Sequence, residues 1–432
     1  MAFQGILIAN RGEIAIRIAR AAAELGIKSV AIYSEDDASS LHTKIADESF
    51  LLPGLGAAAY LNMEEVINAA KKSGCDAIHP GYGFLSEQAS FAEKCAEAGL
   101  TFIGPKVEHL KLFGDKGVAR AAAISAGVPV LRGIDKAVTL KEAGAFFDEV
   151  DGGIIIKAVA GGGGRGTRSV TDKVDLEDAF SRCESEAKAS FGIGDLYVEE
   201  FVEKARHVEI QILGDADGNV VHFGERECSA QRRNQKVVEI APAPGLEKEL
   251  VNDMVESATQ FAKKEGYFSL GTFEFLVDVG SKEAKFVFIE ANARLQVEHT
   301  VTEEVMGVDL VKSQIQIAMG SSISDLKLDD PSLREPSGYA IQSRVCLETI
   351  QNDGSILPSS GTLTAYEAPN GPGVRTDGFG YMGYQTSTAF DSLLAKVIVH
   401  SKSPSFAEAA RKAERALSEF KIAGVKNNVS FL

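Results

Sequence analysis

The sequence predicts a mixed fold class, in which a doubly wound α/β domain precedes α+β structure with a large antiparallel sheet. Three observations lead to this prediction. Short apolar segments alternate with helical segments as far as Pro105, which is typical of successive βαβ units. Four consecutive glycines, 161–164, then interrupt a shorter region of predicted strands. Beyond Glu203 the apolar segments lengthen and alternate with polar residues, as in antiparallel strands with one covered face.

The composition is ordinary for a soluble protein with room for two or three domains. The chain has 432 residues, of which 45% are hydrophobic and 25% charged, and its formal net charge is −16. This acidic balance argues against nucleic-acid and anionic-membrane partners. The five cysteines lie far apart, which favours a reducing compartment over a disulfide framework. Because we find no signal peptide and no uninterrupted apolar span, we expect a cytoplasmic protein.

Residues 1–115 are predicted to form the N-terminal α/β domain. Its first strand is predicted at 5–9 and its first helix at 12–25, with Gly26 placed to end that helix. The alternation continues through "KSVAIYS", "MEEVINAAKKSG", "DAIHP", "SEQASFAEKCAEAG" and "LTFIG". No G-x-G-x-x-G motif occurs in this region, so a dinucleotide site is a weak interpretation.

Two further domains are predicted after a helical connection at 106–128. Residues 129–202 form a small domain with the strands "GIIIKAVA", "TRSV" and "LYVEEFV" and a helix near 175–190. Residues 203–432 form a larger domain around the long strands "HVEIQILGD", "NVVHFGERE", "GTFEFLV" and "AKFVFIE". The chain ends on "GVKNNVSFL" without a stop signal, so we expect a fragment of a longer polypeptide.

The glycine loop between "GIIIKAVA" and "TRSV" is the first candidate site. Glycines expose backbone N–H groups that can surround phosphate oxygens, although no Lys-Ser/Thr follows as in a Walker A loop. Lys157 lies near the end of the preceding apolar strand, where its ammonium needs an anionic partner. A flexible hairpin tip is the alternative interpretation, and the loop sequence leaves both open.

Two carboxylates within apolar strands form the second candidate site. Glu274 lies in "GTFEFLVD" and Glu290 ends "KFVFIE", where a carboxylate is costly unless it is paired or binds a metal. If the two strands are neighbours, the carboxylates meet, and Asn292 adds an oxygen on the same face. Oxygen ligands of this kind suit Mg²⁺. Salt bridges to Lys or Arg are the alternative.

The segment "FIEANARLQVEHT" carries polar residues at alternate positions. In an extended strand, one face would hold Glu290, Asn292, Arg294, Gln296 and Glu298. If the segment were straight, its first and last polar residues would lie about 26 Å apart, too far for one compact site. We therefore expect a bend after Asn292.

Two other segments indicate ligand contacts. Lys236 follows Arg232 and Arg233 and enters the apolar stretch "VVEI", which favours a small-anion contact over a solvated edge. The loop "HPGYGFLSE" follows a predicted strand of the first domain, at the end where open α/β sheets carry ligands. A plain turn is an equally good interpretation of that loop.

Seven motifs resemble, in order and spacing, those of biotin carboxylase, the ATP-grasp component of biotin-dependent carboxylases. They are "IANRGEIAIRIAR", "HPGYGFLSE", "KAVAGGGGRGTR", "RHVEIQILGD", "ERECSAQRRNQKVVE", "GTFEFL" and "FIEANARLQVEHTVTE". The resemblance covers essentially the whole chain and implies an ATP-grasp fold with a lid domain. It also implies a ligase that uses ATP, Mg²⁺ or Mn²⁺ and bicarbonate to carboxylate biotin on a separate carrier.

The resemblance implies a set of ligand contacts. Biotin would contact Tyr82 and Gly83, and the metal would bind Glu274, Glu290 and Asn292. The contacts of bicarbonate are Lys236, Arg294, Gln296 and Val297. Those of ATP are Lys116, Lys157, Gly163, Gly164, Glu199, Glu200, Val202, His207, Gln231, Asn234 and Leu276.

The implied chemistry has two steps. ATP phosphorylates bicarbonate to carboxyphosphate while Glu298 accepts the bicarbonate proton, and Lys236 and Arg294 assist. Carboxyphosphate then delivers CO₂ to biotin N1′, while Arg344 stabilises the enolate oxygen. Three positions depart from the commonest family pattern, since a histidine, a lysine and a carboxylate are replaced by Asn234, Glu200 and Gln342.

The resemblance further implies partners. A biotin carboxyl carrier and a carboxyltransferase would be supplied as domains or subunits, and a homodimer is possible. The final acceptor is predicted to be an acyl-CoA on general frequency, with pyruvate and urea as alternatives. Another ATP-grasp ligase and a non-enzymatic nucleotide-binding scaffold are the competing hypotheses, and the retention of Lys236, Arg294 and Glu298 argues against the scaffold.

Overall fold

The computed structural model describes residues 2–134, 136–150, 152–159, 166–280, 285–331, 335–351 and 354–432. The glycine loop predicted to bind phosphate, with Gly163 and Gly164, lies outside these ranges. Within them, no helix combines the length and the apolar character needed to cross a membrane. The architecture rests on a five-stranded, a four-stranded and an eight-stranded sheet.

The N-terminal domain forms around a parallel sheet, as the alternating pattern predicts. Its strands follow the order β3-β2-β1-β4-β5, and every pairing is parallel once the elements are numbered along the chain. These elements are β1 (Gly5–Ile8), α1 (Gly12–Glu24), β2 (Lys28–Tyr33), α2 (His42–Ile45), β3 (Glu48–Leu51), α3 (Gly56–Tyr60), α4 (Met63–Lys72), β4 (Ala77–His79), α5 (Ala89–Glu97) and β5 (Thr101–Phe102). The chain changes direction between β1 and β4, which is where ligands approach open α/β sheets.

Two helices connect this domain to the small domain. They and the elements that follow are α6 (Val107–Gly114), α7 (Lys116–Ser125), β6 (Gly133–Ile134), α8 (Leu140–Glu149), β7 (Ile154–Ala158), β8 (Thr167–Val170), α9 (Leu176–Phe191) and β9 (Leu196–Glu200). The sheet is antiparallel in the order β6-β9-β7-β8. Helices α8 and α9 pack against it and complete a separate apolar core.

The C-terminal part is built on the predicted large antiparallel sheet. Its elements are β10 (Ala205–Gly214), β11 (Val220–Arg232), β12 (Gln235–Ala241), α10 (Lys248–Lys264), β13 (Ser269–Asp278), β14 (Lys285–Asn292), α11 (His299–Met306), α12 (Leu310–Ala318), β15 (Tyr339–Cys346), β16 (Glu348–Ile350), β17 (Ile356–Pro358), β18 (Ala365–Glu367), β19 (Val374–Gly378), β20 (Leu393–Ser401), α13 (Phe406–Glu419) and β21 (Lys421–Ala423). The eight main strands follow the order β14-β13-β10-β11-β12-β15-β20-β19, and all pairings are antiparallel.

The two faces of the eight-stranded sheet differ in chemistry. One face is apolar and packs against α10 and α13. The other face lies under α11 and α1 and carries largely buried polar side chains, because successive residues of a strand alternate between faces. We call this set the polar band: Glu209, Gln211, Arg226, Glu239, Thr272, Glu274, Gln342, Arg344 and Lys396.

Candidate functional site

The ammonium of Lys236 lies at the centre of the candidate site. Its Nζ is 2.7 Å from Glu209 Oε2, 3.1 Å from Glu274 Oε1 and 2.6 Å from Glu298 Oε1. Burial by itself would lower the pKa of this ammonium, but the carboxylates around it raise the pKa well above its ordinary value. Lys236 is therefore a permanent positive charge shared by three carboxylates.

Three carboxylates lie directly opposite one another on neighbouring strands. Glu274 of β13 is directly opposite Glu209 of β10 on one side and Glu290 of β14 on the other, so the strands of Glu274 and Glu290 are neighbours, as their predicted meeting requires. Like charges in such positions repel, and nearby cations offset the repulsion. Glu290 is 3.4 Å from Lys116 Nζ, and 38% of its side chain is exposed.

Glu274 accepts hydrogen bonds from four side chains. They are Lys236, His207 at 2.6 Å, Asn292 Nδ2 at 2.8 Å and Gln296 Nε2 at 3.1 Å. Burial alone would raise the pKa of Glu274, but Lys236 and His207 hold it well below its ordinary range. In this structure Glu274 is therefore paired with cationic side chains, which is the alternative that the sequence left open. Its position opposite Glu290 still offers oxygen donors from two strands to a divalent cation. A cation between them would need the Asn292 amide turned, because Asn292 Oδ1 now accepts from Arg294 at 2.9 Å.

The bend predicted after Asn292 is present. Strand β14 ends at Asn292, and a tight turn follows in which the Arg294 N–H donates to the Asn292 carbonyl at 2.9 Å. Glu298 then directly precedes α11 and is fully buried. The turn brings Glu298 to the same Lys236 ammonium that Glu274 contacts.

Arg344 joins Glu298 to a second buried carboxylate. Its Nη2 is 3.0 Å from Glu298 Oε2, and its Nε donates to Glu239 Oε1 at 2.6 Å. Arg344 faces this site, while its strand neighbours Ile341 and Ser343 face the opposite side of the sheet, where α13 packs. Burial would raise the pKa of Glu298, but Lys236 and Arg344 hold the pKa below its ordinary range, so the carboxylate is ionised at neutral pH.

The predicted bicarbonate residues lie in the turn after β14. Arg294 Nη1 donates to Gln296 Oε1 at 3.0 Å, and Arg294 Nε is 3.1 Å from Glu87 Oε2 in the loop after β4. The carbonyl of Val297 accepts a hydrogen bond from Lys396 Nζ at 3.0 Å. The turn is thus held by contacts to the N-terminal domain and to β20.

Apart from Lys116 and the two loop glycines, the predicted ATP-binding residues fall into three groups. His207, Gln231 and Leu276 cluster, since His207 contacts Gln231 at 2.8 Å and is directly opposite Leu276. Burial would lower the pKa of His207, but Glu274 raises it above its ordinary value. The second group lies at β9, where Lys157 finds its anionic partner in Glu199 at 2.5 Å, and where Glu200 and Val202 follow along the chain. Lys116 opens α7 beside Glu290.

Asn234, the third group, lies at the tip of the hairpin between β11 and β12. Arg232 pairs with Gln235, so the turn has two residues, and both have positive φ: 48° for Arg233 and 63° for Asn234. Two-residue hairpins of this conformation favour asparagine and glycine. The backbone of this turn therefore suits the asparagine, and the Asn234 side chain is exposed.

The predicted biotin residues lie in the loop after β4. Asn10 fixes this loop by donating to the carbonyls of Pro80 at 2.7 Å and Tyr82 at 2.8 Å. The Tyr82 hydroxyl donates to Glu13, which is also 3.1 Å from Lys396 Nζ. Gly83 is exposed and has a φ of 66°, a conformation that suits glycine.

Five buried charged residues of this region escaped the sequence analysis: Glu13, Glu209, Arg226, Glu239 and Lys396. Glu209, Glu239 and Lys396 lie at polar positions within apolar runs, as in "HVEIQILGD" and "LLAKVIVHS". That signal singled out Glu274, and applied evenly it would have found these three residues. Arg226 is flanked by two glutamates and Glu13 lies in the first turn of α1, so neither carries this signal. Arg226 is nevertheless fully buried and binds Glu209 at 2.5 Å and Gln211 at 2.7 Å.

Three family models match the chain in succession. Residues 2–110 match "Biotin carboxylase, N-terminal domain", and residues 115–326 match "Carbamoyl-phosphate synthase L chain, ATP binding domain". Residues 342–432 match "Biotin carboxylase C-terminal domain". This order is the one that the sequence motifs predict.

Two solved structures are similar over nearly the whole chain. The biotin carboxylase–β,γ-ATP complex from Campylobacter jejuni is 41% identical with a TM-score of 0.93, covering 100% of this chain and 94% of that one. The biotin carboxylase domain dimer of the Hydrogenobacter thermophilus 2-oxoglutarate carboxylase, in complex with MgADP, ADP and bicarbonate, is also 41% identical with a TM-score of 0.93, covering 99% and 92%. The predicted ATP-grasp fold is confirmed.

A longer relative is the pyruvate carboxylase of Staphylococcus aureus (strain Mu50 / ATCC 700699). It is 48% identical over 433 residues, which is 99% of this chain but 37% of the relative. The chain therefore spans little more than a third of the length of such curated relatives. Since the matches to biotin carboxylase structures are nearly complete in both directions, the chain belongs to the biotin carboxylase family, whose members are ATP-dependent ligases.

Proposed function

We propose that this chain carboxylates biotin with bicarbonate and MgATP, which is the first half-reaction of a biotin-dependent carboxylase. The observation that carries the proposal is the joining of Glu274, Lys236, Glu298 and Arg344 by contacts of 3.1, 2.6 and 3.0 Å. Such a row of alternating charges can hold a small anion, remove its proton and stabilise a second anion. The nucleotide, magnesium and bicarbonate bound to the H. thermophilus relative support the same ligands here.

Bicarbonate is held by Lys236 and Arg294, with Gln296 and the Val297 backbone beside it. Glu298 accepts the bicarbonate proton as the bicarbonate oxygen attacks the γ-phosphorus of ATP. In the free site, Lys236 and Arg344 suppress the basicity of Glu298. A bound bicarbonate anion offsets the field of these two cations, so the proton affinity of Glu298 rises when the substrate is in place.

Glu274 and Glu290 are the residues that would hold Mg²⁺, with Asn292 as a further oxygen donor. The donor set fits, because two carboxylates face each other on neighbouring strands and Glu290 is partly exposed. When bound, the ion neutralises charge on the ATP phosphates. Lys116 and Lys157 add positive charge for the phosphates, and the segment from Glu199 to Val202, predicted to contact ATP, receives the adenine.

Arg344 acts in the second step. Its guanidinium is held by Glu239 and reaches Glu298, so a planar fork of donors faces the same site as the bicarbonate residues. Carboxyphosphate breaks down to CO₂ and phosphate, and the phosphate takes the N1′ proton of biotin. The fork stabilises the resulting enolate oxygen while N1′ forms its bond to CO₂. Tyr82 and Gly83 contact the biotin that a carrier domain delivers.

We propose pyruvate as the final acceptor. An acyl-CoA was predicted on general frequency alone, and the 48% identity to a pyruvate carboxylase supports the alternative instead. The greater length of that relative supports a carrier and a carboxyltransferase as partners of this chain. The dimeric H. thermophilus structure supports a homodimer.

The test of the proposed function is bicarbonate-dependent ATP hydrolysis by the purified chain, with and without free biotin. We expect phosphate release to require bicarbonate and Mg²⁺, and labelled bicarbonate to enter carboxybiotin when biotin is added. Hydrolysis that depends on another small acceptor would indicate a different ATP-grasp ligase. Nucleotide binding without hydrolysis would indicate a scaffold.

A further inference from the structure

A chain of hydrogen-bonded side chains runs from helix α11 to Arg344. The Thr300 hydroxyl donates to Gln342 Oε1, and Gln342 Nε2 donates to Glu239 Oε2 at 2.9 Å. The other oxygen, Glu239 Oε1, accepts from Arg344 Nε at 2.6 Å. Thr300, Gln342 and Glu239 are fully buried, so bulk water cannot replace a contact that is lost.

The strand register sets the geometry of this chain. Gln342 of β15 lies directly opposite Glu239 of β12, and Arg344 follows two positions later on the same face. Both oxygens of Glu239 therefore accept hydrogen bonds, one from the Gln342 amide and the other from the Arg344 guanidinium. A displacement of Glu239 would move Arg344 relative to Glu298, which its Nη2 contacts at 3.0 Å.

The Gln342 amide satisfies both neighbours in one orientation only. An ionised carboxylate has no proton to donate and can only accept, so the NH₂ group of Gln342 must face Glu239. The Thr300 hydroxyl donates to the amide oxygen and so favours this orientation. Without the Thr300 hydroxyl, Gln342 Oε1 is buried and has no hydrogen-bond donor. If the amide then turned over, Gln342 Oε1 would face the Glu239 carboxylate.

We propose that Thr300 and Gln342 are positioning residues that hold Glu239, and through it Arg344, in place for the carboxylation of biotin. In this chain the amide nitrogen of Gln342 donates to Glu239 at 2.9 Å, a hydrogen bond that an ionised glutamate at 342 could not donate. The inference rests on the proposed function, since it concerns the step in which Arg344 acts.

The test compares carboxybiotin formed with ATP cleaved in the same reactions. This ratio does not depend on the fraction of folded protein, so a merely structural effect leaves it unchanged. We expect Thr300→Val to lower the ratio by about 5-fold and to raise the KM for free biotin, because one buried hydrogen bond is lost. Thr300→Ser keeps the hydroxyl and should stay within about 2-fold of the wild type. Gln342→Met should lower the ratio, and adding Thr300→Val to it should lower the ratio little further.

Thr259→Val is the matched control. Among the described residues, Thr259 Oγ1 is buried without a hydrogen-bond partner, so its removal should leave the ratio unchanged. A wild-type ratio in both Thr300→Val and Gln342→Met would overturn the positioning role. A wild-type chain that forms no carboxybiotin at all would overturn the proposed function, and the positioning role with it.

Discussion

At the scale of single residues, Glu298 and Arg344 touch each other but serve different steps of the proposed reaction. Glu298 also contacts Lys236, which is one of the predicted bicarbonate residues. Arg344 contacts Glu298 and is held by Glu239, which is not one of them. A base that accepts the bicarbonate proton is needed before ATP is cleaved. A guanidinium that stabilises the biotin enolate is needed only afterwards.

Substitution should separate the two roles. We expect Glu298→Gln to lose ATP cleavage and carboxybiotin together, by about 10²- to 10⁴-fold, as for a general base. Arg344→Ala should keep measurable bicarbonate-dependent ATP cleavage while carboxybiotin formation is lost. Phosphate and carboxybiotin are measured together at saturating ATP and bicarbonate. Equal loss of both products in Arg344→Ala would contradict this division.

His207 makes the stability of the fold depend on pH. Glu274 raises the pKa of the buried imidazole above its unfolded value of about 6.5, so the protonated ring stabilises the folded state. This contribution is complete below about pH 6.5 and is lost as pH rises through the raised pKa. We expect the free energy of unfolding to fall with rising pH in this window, and to fall less in His207→Gln. Urea unfolding at several pH values measures the difference.

His109 provides the opposite control for this measurement. Burial lowers the pKa of His109, so its contribution is lost as pH falls below about 6.5, when the unfolded ring takes up a proton. His109→Gln should therefore reduce the pH dependence on the acid side and leave the alkaline window as in the wild type. Identical alkaline slopes in the wild type and His207→Gln would refute the assignment.

At the scale of elements, the hairpin between β11 and β12 determines where Lys236 lies. Lys236 is the second residue after the turn, and it pairs with Gln231 across the two strands. The left-handed backbone of Arg233 and Asn234 closes this turn. The turn thus sets the register that carries Lys236 to the three carboxylates.

Substitutions at Asn234 should separate a turn role from a nucleotide contact. Asn234→Gly suits the φ of 63° and should change the free energy of unfolding by less than about 0.5 kcal/mol. Asn234→Ala should cost about 1 kcal/mol, because alanine tolerates this region poorly. Denaturant unfolding measures both values. A higher KM for ATP in Asn234→Gly at unchanged stability would instead support a side-chain contact with the nucleotide.

Sequence patterns predicted the elements that have a continuous apolar face. β1, β10 and β13 were predicted for this reason, whereas β3 was not, because its residues are mostly exposed and leave no apolar run. The hairpin turn at Arg233 and Asn234 was not predicted, because the basic residues of this segment were interpreted as an anion contact. Residue patterns singled out Lys157, Lys236, Glu274, Glu290 and Asn292, and the resemblance supplied the other site residues. The mutual contacts of all of them depend on the register of distant strands, which local pattern does not encode.

At the scale of the whole molecule, two of the three parts share one core. The largest apolar cluster joins residues of the N-terminal domain, such as Ile14 and Ile18, to Val301, Leu310 and Ile398 of the C-terminal part. Buried ion pairs cross the same boundary: Arg17 of α1 is 2.8 Å from Glu303 of α11. The core of the small domain, by contrast, is drawn from residues 138–198 alone.

This division predicts how the molecule opens. We expect the free energy of opening, measured by amide hydrogen exchange, to be at least about 2 kcal/mol lower for β7 and α9 of the small domain than for β10 and β13. The reason is that the small domain can separate without breaking the shared core. Native-state hydrogen exchange followed by mass spectrometry measures both. One common opening free energy for all four elements would contradict the prediction, and with it the separate domain predicted at 129–202.

The ion pair between Arg17 and Glu303 has a consequence for synthesis of the chain. Its partners are 286 residues apart, so the guanidinium leaves the ribosome long before its carboxylate exists. At about 5–20 residues per second, translation needs roughly 15–60 s to add that carboxylate. Throughout this interval the nascent N-terminal domain exposes the α1 surface that Glu303 and its helix later cover. The N-terminal domain is thus made before the C-terminal part of this chain but completed only with it, and a chaperone can bind the exposed surface during this interval.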